Sequence, residues 1–252
     1  FLALLPGGPV AAFHGSGTAG RALEVRQGVC SYASIYPRQH VVHKTAALSP
    51  ETLDGDLSKP AWEEVEWTKD FVDISTNTAP KFRTRAKMRW DDQFLYVGAE
   101  LQEPNIWATL TQHDSVIFQD NDFEVFVDAN ATNHFYKEFE MNAFNTTWML
   151  QLNKPYSDGG AENSTRVLGA KGWTMQALRS TVKVFPQAAL NNPTVDGKKW
   201  TVEIALPLEK LAESTGAALP SPGSFWRLGF SRVEYDVTVN STGQYERKKS
   251  CQ

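Results

Sequence analysis

From about residue 40 to residue 236 the chain runs in short apolar and polar alternations divided by turn signals, the spacing of a β-sandwich or barrel. In Arg85–Trp90, Ala86, Met88 and Trp90 alternate with three basic residues, the period of a half-buried strand. Asp91-Asp92 supplies a turn, and Phe94–Leu101 returns as a more continuously apolar partner that belongs inside a sheet.

Two further segments carry more chemistry. In Asn121–Asp128, Phe123, Val125 and Val127 share one face, leaving Asp122, Glu124, Phe126 and Asp128 on the other. Phe135–Asn142 sets Phe135, Phe139 and Met141 against Tyr136, Glu138, Glu140 and Asn142. Pairing across loop 129–134 would line one surface with acidic and amide groups from both strands. Thr147–Leu152, Ala177–Val184, Trp200–Leu206 and Trp226–Tyr235 read as strands, with Trp200 facing the core. Leu208–Ser214, after Pro207, is the best helical segment. Residues 1–40 and 237–252 lack the pattern and read as an N-terminal arm and a divergent C-terminal tail around one domain, 41–236.

Composition agrees with an all-β chain: 12% of residues are aromatic, with eight tryptophans, and the Ala/Leu/Glu/Lys excess of a helical bundle is missing. A net charge of −4, with Arg247, Lys248 and Lys249 as the one basic cluster, gives no reason to expect nucleic acid or an anionic membrane as partner. The apolar start, Phe1–Phe13, is broken by Pro6, Gly7, Gly8 and Pro9; it is too short to span a bilayer and reads as a signal-peptide remnant or an unpatterned end. Asn130, Asn145, Asn163 and Asn240 each open an Asn-x-Ser/Thr triplet and favour an extracellular location. Cys30 and Cys251 have no partners at zinc-ligand spacing and would form a disulfide only if the two ends meet.

Sugar binding needs an apolar ring against the C–H face of a pyranose and planar polar groups at its rim. Phe118, Trp107, Glu124, Glu140 and Asn142 are residues of those types. Asp120, Asp122, Asp128 and Asn130 form an oxygen-rich set around one strand, the donor chemistry of calcium, or else turn-forming acids. Two other readings stay open: a glycoside hydrolase using Glu124 and Glu140, and a haem site drawing on His113, His134, Met141 and Met149. No phosphate loop, Gly-x-Ser-x-Gly elbow or His-Glu-x-x-His run is present.

Several runs together resemble the family 9 carbohydrate-binding modules: Asp54-Gly55 with Trp62, Trp90–Val97, Asp120–Asp128, Phe139–Asn142, Trp200–Pro207 and Gly229–Glu234. The likeness spans roughly residues 48–236. It implies a two-sheet antiparallel, jelly-roll-like sandwich of the DOMON-like type, structural calcium, and non-catalytic binding of a plant or algal glucan, xylan or oligosaccharide. Members often accompany glycoside hydrolases and some stand alone; the chain itself is expected to be a monomer, with a glycoside hydrolase as a partner. Phe118 stands where the family carries a tryptophan wall, Glu124 where it carries a sugar-binding glutamate, and Glu140 where an arginine can bind hydroxyls. After Glu234 the chain departs from the Trp-Ser-Pro-type loop that supplies a second aromatic wall.

Overall fold

The computed structural model describes residues 10–14, 38–164 and 173–248, so Cys30, Cys251 and their proposed disulfide lie outside the described residues. The strands are β1 (Val10–His14), β2 (Gln39–Lys44), β3 (Thr84–Trp90), β4 (Phe94–Gln102), β5 (Asp122–Asp128) and β6 (Tyr136–Asn142). They continue with β7 (Thr147–Leu152), β8 (Glu162–Ser164), β9 (Arg179–Phe185), β10 (Lys199–Pro207) and β11 (Phe225–Ser231). Hydrogen bonding runs without a break in the order β8-β7-β6-β5-β11-β1-β2-β3-β4-β10-β9. The first five and the last four strands form the two layers of a β-sandwich, and β1 and β2 carry the sheet from one to the other.

Between the layers lies one core, filled by the faces that the alternation marks as apolar. Ala86, Met88 and Trp90 from β3 and Trp200, Val202, Ile204 and Leu206 from β10 meet Phe123, Val125 and Val127 from β5 and Phe139 and Met141 from β6. The expectation of a wholly antiparallel sandwich needs one correction. β1 pairs parallel with β2, and β2 parallel with β3. β1 falls in the segment read as an arm, because five residues of Val-Ala-Ala-Phe-His show no period-two alternation. A second small hairpin, β12 (Val237–Val239) with β13 (Tyr245–Arg247), falls in the segment read as a tail.

Two strand ends also differ from the pattern. Phe135 sits outside β6 in a left-handed backbone conformation (φ 56°) and is exposed, so it does not join Phe139 and Met141. β11 stops at Ser231 because side chains take over its ladder: the Val233 amide donates to Asp122 and the Tyr235 amide to Asn121.

The outer face of β4 and β10 is covered by residues 48–65, including the short helix α1 (Pro60–Glu63), whose Trp62 packs with Leu48, Leu53, Val65 and Tyr96. Glu203 anchors this cover. Its buried carboxylate accepts from the Asp54 amide at 2.8 Å, the Gly55 amide at 2.7 Å, Lys59 Nζ at 2.8 Å and Trp62 Nε1 at 2.7 Å. Gly55 has φ +81°, and a Cβ there would lie 2.7 Å from the Lys183 amide nitrogen. Gly55→Ala therefore lowers stability by about 1–3 kcal/mol in a urea titration; an unchanged midpoint would show that the turn relaxes freely.

Helix α2 (Leu208–Ala212) follows Pro207, shorter by two residues than the pattern predicts. No helix among the described residues is long and apolar enough to cross a membrane.

Candidate functional site

The polar face of β5 and β6 is where the chemistry-bearing residues gather. Strand register sets Asp122 opposite Asn142, Glu124 opposite Glu140, and Phe126 opposite Glu138. On the flanks, β7 brings Trp148 opposite Glu140 and Leu150 opposite Glu138, while β11 brings Ser231 opposite Glu124. The period-two alternation anticipates this shared face. It does not anticipate its burial: Asp122, Glu124, Glu138 and Glu140 are all at most 2% exposed. Residues 110–117 lie over one end, where Leu110, Val116 and Ile117 pack with Phe126, Tyr136, Trp148, Leu150 and Leu152.

Four enclosed carboxyls with few donors are costly to ionise. Glu140 Oε2 accepts the Phe118 amide at 3.0 Å, and Asp122 Oδ1 accepts the Val233 amide at 2.9 Å. Asp122 Oδ2, Glu138 Oε2 and both oxygens of Glu124 make no hydrogen bond of ordinary geometry. Burial pushes Glu124 up to about 7, with the Ser231 hydroxyl on the neighbouring strand partly offsetting it. Burial and then the Glu124 charge push Glu138 up to about 8. Asp122 and Glu140 are raised well above the usual range, by burial first and by their acidic neighbours second. The arginines on the β11 side do not neutralise the set: Arg227 lies 3.6 Å from Asp128, and Arg232 pairs with Glu103 and Glu234.

Phe118 forms the open edge of this region. It lies in a 3-10 turn, Ile117–Gln119, and is 39% exposed. Three contacts fix it: its amide on Glu140, its carbonyl accepting from the Tyr235 hydroxyl at 2.9 Å, and its ring 6.1 Å from Trp148 at a 35° tilt. Tyr235 itself carries the Arg247 guanidinium 3.5 Å above its ring, which ties the β12–β13 hairpin to the same turn. The chain that departs from the family pattern after Glu234 thus brings a different aromatic, Tyr235, next to Phe118. Glu138 and Tyr235 were not singled out from sequence. Glu138 shares the alternation of Glu140 and was legible; Tyr235 is placed by a change of direction that carries no periodic signal.

The other predicted residues are committed to the protein. Trp107 is 4% exposed, so its ring offers no platform. Asn142 donates to the Leu110 carbonyl and Asp120 and accepts from the Phe144 and Thr146 amides, which fills the capacity of its amide. Asp120 accepts from Thr109 and Leu110 amides, the Thr109 hydroxyl and Asn142. Asp128 holds the Thr132 and Asn133 amides, and Asn130 bridges Thr132 and the Thr215 carbonyl. The predicted calcium set of Asp120, Asp122, Asp128 and Asn130 therefore does not fit an ion as a group, because protein donors already occupy three of its members. Among the described residues, the group whose carboxylate oxygens converge, within 4.8 Å of one another, is Asp122, Glu124 and Glu140.

Glu124 and Glu140 are both enclosed, 0% and 1% exposed, on paired positions of β5 and β6. Met141 and Met149 belong to the core, whereas His113 and His134 are exposed and set Nδ1 against backbone carbonyls, of Thr147 and Thr132.

The Carbohydrate family 9 binding domain-like profile matches residues 53–249, and the chain belongs to that family. Among solved structures, a family 9 module from Caldicellulosiruptor kristjanssonii in complex with glucose is 19% identical, covering 81% of each chain with a TM-score of 0.46. The same module type from that organism with cellotriose is 16% identical over 94% of this chain and 80% of that one, at 0.45. A provisionally assigned carbohydrate-binding protein from Bacteroides uniformis is 15% identical over 76% and 81%, at 0.51. No curated protein matches the chain.

Proposed function

We propose that this chain is a non-catalytic module that binds a plant or algal glucan, xylan or oligosaccharide by stacking a pyranose ring on Phe118. The observation that carries the reading is the Phe118 ring, 39% exposed and set against Trp148 on a backbone fixed at its amide and carbonyl, in a chain of a carbohydrate-binding-like family. A ring fixed before the ligand arrives loses little freedom on binding. Glu124 and Glu140 lie behind it on β5 and β6, and Asn142 ties the Leu110 carbonyl to Asp120. In the same reading the module works outside the cell as a monomer, beside a glycoside hydrolase.

Calorimetric titration with glucose, cellobiose and xylobiose tests this. Saturable binding to at least one is the expected outcome. Phe118→Ala weakens it by about tenfold or more, since covering a phenyl ring contributes about 1.5–3 kcal/mol. Flat titrations from folded wild-type protein, or an alanine variant that binds as well as wild type, would remove Phe118 from the role.

A further inference from the structure

We propose that the outer face of β3, β4, β10 and β9 is a docking surface for an acidic polysaccharide whose sugars carry carboxylates, a polyuronate. This face belongs to the other layer of the sandwich from the Phe118 edge, so the inference goes beyond the reading of that edge and does not rest on it. The cover formed by residues 48–65 ends at Thr201, whose hydroxyl donates to the Gly55 carbonyl at 2.6 Å. Beyond it, strand register sets two rows of side chains in the open. Arg85, Glu100, Thr201 and Lys183 stand side by side in the first. Gln102, Lys199 and Phe185 form the second, continued by Arg83, whose carbonyl accepts the Gln102 amide at 2.9 Å.

Four cations here face two carboxylates, in a chain whose net charge is −4. Arg83, Arg85 and Lys199 all converge on Glu100, at 3.1, 2.8 and 2.6 Å, and Lys183 pairs with Asp56 at 2.7 Å. One carboxylate neutralises one of the three, so the surplus charge stays at the surface. The side chains of Arg83, Lys183 and Lys199 are 48, 40 and 38% exposed, open enough to meet a ligand. Most of their donors are uncommitted as well: toward Glu100, Arg85 spends only Nε and Nη2, Arg83 only Nη2, and Lys199 one of its three N–H groups. Two rings steady these cations. Arg85 lies 4.1 Å from the centre of the Trp67 ring, and Lys183 and Lys199 lie 5.4 and 5.3 Å from that of Phe185. Cations held against aromatic rings lose little freedom when a ligand arrives.

The chemistry of the face selects the partner. Guanidinium groups match planar carboxylates, and Arg85 already grips one carboxylate oxygen with two N–H groups. Strands stand about 4.8 Å apart, which sets Arg83 at one side about 14 Å from Phe185 at the other. An extended chain with a carboxylate on each sugar, laid across the strands, meets Arg83, Lys199 and Lys183 in turn, whereas a single acidic sugar reaches one of them. A single-stranded nucleic acid needs open ring faces for its bases. Trp67 instead carries Arg85 and Lys87, and Phe185 carries two lysines.

Affinity electrophoresis of the full chain in native gels containing polygalacturonate, with chelator to prevent gelling, tests this against gels containing neutral dextran. Wild-type protein is expected to be retarded by polygalacturonate and not by dextran, and the retardation is expected to fade as salt is raised. Arg83→Gln combined with Lys199→Gln leaves Arg85 on Glu100 and weakens the affinity by about tenfold or more. Glu100→Gln removes the competing carboxylate and strengthens it, while Lys210→Gln, on α2, leaves it as it was. Urea midpoints establish that each variant is folded. Phe118→Ala leaves polygalacturonate retardation unchanged, so this face and the sugar edge can fail separately. No retardation of wild type, a double variant retained like wild type, or weaker retention of folded Glu100→Gln would overturn the proposal. So would equal retardation by dextran sulfate or by a DNA duplex, which would mark plain charge attraction, or loss on Phe118→Ala, which would move the acidic chain to the other layer.

Discussion

Glu203→Ala lowers the free energy of unfolding by about 3–5 kcal/mol, the range for breaking a buried, hydrogen-bonded charge pair from one side. The carboxylate is fully enclosed and answers four donors from one covering segment: two backbone amides, the Trp62 indole and the Lys59 ammonium. Truncation leaves the indole and two amides facing a cavity, and unmade buried hydrogen bonds cost about 1–3 kcal/mol each before any rearrangement. Glu203→Gln keeps an acceptor and the volume, and falls between wild type and alanine. Urea unfolding read by tryptophan fluorescence measures both, with Trp62 itself as a reporter. A loss within about 1 kcal/mol for alanine would mean that the cover over β4 and β10 is held by its apolar contacts, not by this anchor.

The second large effect is a dependence of stability on pH. In metal-free protein, stability rises as pH is lowered from 8 to 5. Unfolded glutamates ionise near 4.5, whereas folded Glu138 keeps its proton to about 8 and folded Glu124 to about 7. Between those limits the native state binds more protons than the unfolded chain, so stability is fully present below the unfolded value and is lost as pH rises. Each group contributes at most about 1.4 kcal/mol per pH unit in that interval. The groups facing them act in the same sense: Asp122 from β5 and Glu140 from β6 are also raised, and Arg232, beyond β11, only partly relieves Asp122. Asp54, Asp56 and Asp73 are held below the usual carboxylate range by lysine and backbone partners and work the other way below about pH 4, and His40, lowered by burial, opposes the trend inside the window but is outnumbered by the four raised carboxyls. Chemical unfolding at half-unit steps with chelator present gives the slope. A flat or opposite trend between pH 5 and 8 would show these carboxyls ionised in the folded protein.

Much of the fold was legible because it rests on alternation. The faces of β3, β5, β6 and β10 fall where apolar residues repeat every second position, and β4, β7 and the start of α2 are found within a residue or two. What escaped has no periodic signal. β1 is too short and too uniformly apolar, α1 is a single turn after Pro60, and the end of β11 depends on the Asn121 and Asp122 side chains capturing amides from another segment. The site divides in the same way. That Asp122, Glu124, Glu140 and Asn142 share a face follows from period two and one hairpin. Whether the face is open follows from where residues 110–117 lie, and local pattern does not encode that. The acids Asp120 and Asp128 look like cation ligands in sequence, but each is spent on organising the loop beside it.

The seam formed by β1 has a consequence for how the protein is made. Val10 pairs with Gln39 on one side and with Arg227 on the other. The first partner leaves the ribosome soon after β1; the second is among the last strands to be synthesised. At about 5–20 residues per second the wait is on the order of ten seconds or more. Throughout it, the nascent sheet keeps an open edge at β1, to which any extended chain can add. A product ending before Phe225 would never close that edge, and aggregation of such truncations, rather than loss of ligand, would be their first symptom.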